Sequence, residues 1–139
     1  MTTADRSVRR LLTLAALSGA VAVAAGAFGA HGLRDAVTPE RLDVWKTGAA
    51  YGLAHALAGL FAAQMGRESV WARRAGTLFL VGTLLFSGSL YALVLFGAAG
   101  LDAGWLGAVT PLGGVAFIAG WTALAVSARD LAGAPGPRA

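Results

Sequence analysis

Four stretches of this chain carry no Asp, Glu, Lys or Arg: residues 11–33, 47–66, 75–101 and 103–128. Together they make up 96 of 139 residues. A helix needs about 20 consecutive apolar residues to cross a bilayer, so each stretch is long enough for one crossing. Only 13% of all residues are charged, against about 25% in soluble domains. The pattern predicts an all-α membrane protein, a four-transmembrane-helix bundle with short connectors. It excludes a soluble enzyme, a nucleic-acid-binding domain and a disordered chain.

The expected organisation is a basic head at 1–10, a four-span membrane domain at 11–128 and a disordered tail at 129–139. Thr38-Pro39-Glu40 supplies an N-cap hydroxyl, a proline at the first helical position and an acid in the first turn, so the second helix should begin near residue 39. The first stretch also has the shape of a signal peptide, with Ala25-Gly26-Ala27 as a small-residue cleavage site. Against cleavage stands the Gly-punctuated run at 26–33, which suits close helix packing.

The net charge is +4, and the basic residues flank the apolar stretches. Orientation follows Lys and Arg rather than net charge. Eight of the eleven lie in the head, the 67–74 connector and the tail, and three in the 31–46 connector. Head and tail are therefore expected in the cytoplasm, in a multi-pass protein of the plasma membrane or bacterial inner membrane. The basic residues fit anionic headgroups; the lipid bilayer is the expected partner, with a homo-oligomer or membrane-protein partner beside it and no nucleic acid. Trp45, Trp71, Trp105 and Trp121 fall near span ends, as an aromatic belt would place them.

The spans hold no Asp or Glu and the chain no Cys. Carboxylate-pair catalysis, thiolate metal sites and disulfides are excluded, and neither a catalytic residue nor a metal or cofactor is expected. The intramembrane polar residues carry the pattern instead. Thr47, Tyr51 and His55 share one helix face, as do Thr83, Ser87 and Tyr91. Thr110-Pro111-Leu112-Gly113-Gly114 is expected to interrupt the fourth span, because proline removes a backbone donor.

Equal depths in the bundle would gather Tyr51, His55, Ser87, Ser89, Tyr91 and Thr110 into one polar layer or pocket. His55 is read as a structural hydrogen-bonding group, as a proton or ligand handler, or as a metal or haem ligand; His31, at the boundary, lies too far from its level to share a haem. The small residues Gly26, Gly29, Gly88, Gly113 and Gly114, with Pro111, are the candidate helix-packing positions. Gly88 is expected to face the Gly113-Gly114 pair.

One ordered series of motifs is specific. It comprises Gly26-Ala27-Phe28-Gly29-Ala30-His31-Gly32-Leu33, Tyr51-x-x-x-His55, Leu85-Phe86-Ser87-Gly88-Ser89-Leu90-Tyr91, Val109-Thr110-Pro111-Leu112-Gly113-Gly114 and Ala119-Gly120-Trp121. The series resembles the domain of unknown function 423 family, to which eukaryotic transmembrane protein 256 is similar. The resemblance runs from about residue 11 to 128 and implies an integral membrane protein of about four spans, with no established activity. It departs at Gly52, where relatives often carry Gln. The expected function is a non-enzymatic scaffold or accessory subunit. The alternative is a small oligomeric transporter or channel using the layer around His55.

Overall fold

The computed structural model describes residues 2–132. Four helices run in order: α1 (Thr3–His31), α2 (Pro39–Met65), α3 (Val70–Ala98) and α4 (Leu106–Ala132). No strand occurs among the described residues. Helices α1, α3 and α4 are each long and apolar enough to cross a membrane. Helix α2 has the length, but Tyr51, His55, Gln64 and its glycines lower its hydropathy.

The helices outrun the charge-free stretches because caps, not charges, end them. Thr2 and Asp5 form a reciprocal capping box, so α1 takes in the basic head. Their hydrogen bonds, chiefly from the Thr2 hydroxyl, hold the exposed Asp5 carboxyl below its ordinary value. Thr38 caps α2 ahead of Pro39. The Ser69 hydroxyl accepts from the N–H groups of Trp71 and Ala72 and so starts α3. The end of α3 is a Schellman turn: Leu101 N–H donates to Phe96 O, Gly100 N–H to Gly97 O, and Gly100 takes φ +72°, where a side chain would be strained.

Two expectations at α4 change. Residues 129–132, assigned to the tail, are helical; residues 133–139 lie outside the described residues. The interruption at residues 110–114 is absent, since α4 runs straight through Pro111. Pro111 lies early in the helix, so only the Gly107 carbonyl loses its usual donor, and Gly107 is exposed.

Neighbouring helices meet along antiparallel seams. Between α1 and α2 the seam is small on small: Ala15 faces Gly59, Gly19 faces Ala56 and Ala22 faces Gly52. It ends where Gly29 admits the indole of Trp45. Between α3 and α4 the seam alternates large and small. Phe79 covers Gly120, Phe117 covers Gly82, and Phe86 lies on Gly113, with its own backbone against the glycine. Ser89 then meets Thr110. The 3-4-3 spacing along both helices is that of a coiled-coil seam. In this register Gly88 is level with Pro111, three positions from the expected Gly114. A side chain on Gly26, Gly88 or Gly114 would meet nothing within 4 Å; of the expected packing glycines, Gly29 and Gly113 make close contacts. Helices α1 and α3 meet only sparsely, leaving a groove between them.

Candidate functional site

His55 stands on the inner stripe of α2 and is 7% exposed. Its Nδ1 lies 2.8 Å from the Tyr51 carbonyl one turn back, and its Nε2 lies 3.3 Å from Trp121 Nε1 on α4. A carbonyl only accepts and an indole N–H only donates, so the pair selects the tautomer protonated at Nδ1. The imidazole stacks on Phe117 at 3.5 Å between centroids and 11° between planes, and Phe79 lies 5.7 Å away. Both nitrogens are engaged by protein groups in aromatic surroundings.

The sequence placed Ser87 and Tyr91 beside His55. The structure places both toward α1 and α2: Ser87 faces Gly52, and the Tyr91 ring lies over Gly48 and packs 4.5 Å from Trp45. The Ser87 and Tyr91 hydroxyls are buried without a hydrogen-bond partner. Ser89 and Thr110 form a separate pair at 2.8 Å, with Ser89 also 2.9 Å from Phe86 O. Tyr51 shares the aromatic group of His55, stacking on Phe86 at 4.7 Å, but is half exposed. The six side chains therefore divide into three groups on different faces, because helical rotation separates residues of equal depth.

Trp45 departs from the belt expectation. It is 5% exposed, and its Nε1–H donates to Ala25 O at 2.7 Å. Gly29 makes this possible, since any side chain there would strike the indole. The partner missed in the sequence is Trp121, read as a boundary residue although its indole tip reaches His55. The readable signal was the Phe and Gly alternation on both α3 and α4.

Polar pairing also ties the ends of α2, α3 and α4. Ser69 Oγ donates to Asp130 at 2.5 Å, joining the start of α3 to the end of α4. Arg73 donates to Gly66 O, a carbonyl left open at the end of α2. Arg74 lies 4.6 Å above the Trp71 ring. His31 is exposed at the end of α1. Among the described residues no three His, Asp or Glu side chains are grouped as metal ligands would be.

Residues 25–114 match the family model described as "Protein of unknown function (DUF423)". Three relatives are close over most of their length. The UPF0382 membrane protein SAB0533 of Staphylococcus aureus is 39% identical, covering 91% of this chain and all of the relative. The UPF0382 membrane protein YwdK of Bacillus subtilis is 44% identical, covering 84% of this chain and 94% of the relative. The UPF0382 inner membrane protein YgdD of Escherichia coli is 42% identical, covering 88% and 92%. No solved structure matches the chain. With apolar helices of membrane-crossing length and relatives named as membrane proteins, the chain is an integral membrane protein, and it belongs to the DUF423 family.

Proposed function

We propose that this protein is a non-enzymatic four-span bundle of the cytoplasmic (inner) membrane, acting as a scaffold or accessory subunit, with head and tail in the cytoplasm. The observation that carries the reading is the state of His55: each nitrogen has a protein partner and one ring face is covered by Phe117. A proton carrier needs an exchangeable route through water or polar groups, and the nearest hydroxyl pairs face other interfaces. The same division of Tyr51, His55, Ser87, Ser89, Tyr91 and Thr110 counts against the oligomeric-channel reading and favours packing roles for them.

Helix α2 serves as the fourth span in this reading. It is sandwiched by α1 and α3, and its outward face is apolar through Leu53, Leu57 and Phe61. The Lys and Arg distribution supports the cytoplasmic termini.

Two measurements test the proposal. Proteoliposomes with the protein should leak protons no faster than empty ones. Flux that disappears in His55→Gln while the fold survives would refute the scaffold reading. Reporters fused at residue 139 and at the 31–46 connector should report opposite sides.

A further inference from the structure

The sparse meeting of α1 and α3 leaves a groove with two connected parts. At the basic end a cavity of about 770 Å³ is lined by Ser7, Arg10, Arg73 and Arg74, with no acidic side chain. A second cavity of about 350 Å³ continues toward the middle of the helices, with walls that include Leu17 and Leu84, and reaches Gly88 and Tyr91. Leu14 and Leu80 line both, so the two parts join. We infer that this groove seats one anionic phospholipid, its phosphate among Arg10 and Arg74 and one acyl chain along α1 and α3 toward Gly88.

Charge, polarity and length each favour this occupant. Arg10 on α1 and Arg74 on α3 come together because these two helices run parallel, with both N-terminal ends on the same side. The α3 N-terminus adds its partial positive charge. Arg73 belongs to the lining but is engaged at the Gly66 carbonyl; Arg74 rests over the Trp71 ring without giving its N–H groups to an acceptor among the described residues, so it and Arg10 are the anion-binding pair. Beyond them the walls are mostly leucine and valine; Thr77 and Thr83 give their hydroxyl protons to the Arg73 and Phe79 carbonyls of their own helix, and Ser18 adds one more hydroxyl. Ser87 and Tyr91 are part of the wall near the far end, but their oxygens are buried away from the groove surface. From Arg74 to Gly88 the groove follows α3 for about 21 Å at 1.5 Å per residue. That length matches one leaflet, about 15 Å of hydrocarbon plus its headgroup. It also accounts for Gly88, whose missing side chain faces open space rather than a helix. The inference rests on the bundle and its membrane setting, not on the scaffold proposal.

The test uses the full chain in nonionic detergent, titrated with phosphatidylglycerol or phosphatidylcholine and read by native mass spectrometry. One phosphatidylglycerol should be retained in preference to phosphatidylcholine. A cation near the headgroup changes affinity about five-fold, so Arg10→Gln with Arg74→Gln should weaken retention about thirty-fold. Gly88→Leu should fill the chain channel and abolish retention without lowering the melting temperature. Leu17→Trp, at a position 59% exposed on the opposite wall, is the second block should the first variant misfold. Equal retention of the two lipids would overturn the inference. So would undiminished phosphatidylglycerol binding in both channel-blocking variants, or equally tight binding of glycerol 3-phosphate, which has the phosphate but no chain.

Discussion

Gly113 and Gly114 are adjacent on α4, yet adding one methyl to each should shift stability in opposite directions. A Cβ on Gly113 would lie 2.7 Å from Phe86 Cβ and 2.8 Å from Phe86 Cα, with the Phe86 backbone nitrogen closer still. Favourable carbon–carbon separation begins near 3.5 Å, so α3 and α4 must part by about 0.8 Å. Overpacking of this kind costs about 1–3 kcal/mol, and the upper part of that range applies because backbone atoms cannot rotate away. Alanine recovers about 1 kcal/mol of helix propensity. Gly113→Ala should therefore destabilise by about 1–2 kcal/mol. At Gly114 the new methyl meets nothing within 4 Å, so Gly114→Ala keeps the propensity gain and should stabilise by up to about 1 kcal/mol. Reversible unfolding in mixed micelles, followed by tryptophan fluorescence, measures both variants against the same reference. Equal stability of the two, or a more stable Gly113→Ala, would refute the placement of Phe86 on Gly113.

Three further outcomes follow from polar groups. Ser87→Ala removes a buried hydroxyl with no partner and should leave thermal stability unchanged or raised by about 1 kcal/mol; a loss above that would mean the hydroxyl is bonded. Trp45→Phe removes the 2.7 Å hydrogen bond to Ala25 O and part of a buried ring, and should cost about 1–3 kcal/mol by chemical unfolding. Because folding depresses the Asp5 carboxyl, its capping contribution is complete above the unfolded value of about 3.9 and is lost as pH falls through the lower folded value. Amide exchange in the first turn of α1 should accelerate over that acidic window, and Asp5→Asn should flatten the response.

The membrane character and the helices were legible because charged residues are so costly in hydrocarbon that their absence marks the spans. Thr38-Pro39 was legible as a helix start because a cap is a local interaction. The starts of α1 and α3 were underestimated: both helices carry arginines within their first turns, outside the charge-free stretches but inside the hydrogen-bonded helix. The contacts were harder to read. Small residues recur at spacing four on several faces, so spacing alone does not separate Gly113, pressed on Phe86, from Gly114 beside it. That distinction depends on the rotation of α4 against α3, which is decided by Phe79 and Phe117 finding glycines opposite. The same rotation brings Trp121 to His55 and leaves Ser87 facing Gly52. Trp45 resembled a boundary tryptophan because burial of its indole depends on the approach of α1 at Gly29, 16 residues earlier in the chain.

The alternation of Phe and Gly between α3 and α4 bears on how misassembled hairpins are rejected. If α4 slides along α3 by one step of the seam, Phe79 arrives over Phe117 and Gly82 over Gly113. A step the other way sets Phe86 over Phe117 and Gly82 over Gly120. Either error drives two rings together beside an unfilled void. Wrong arrangements are thus penalised by collision and by lost contact at once, so the landscape has a steep gap around one docking position. A uniform seam of alanines would slip by a turn at little cost and populate several near-equivalent states. The alternating seam makes the hairpin self-checking at the moment the helices meet.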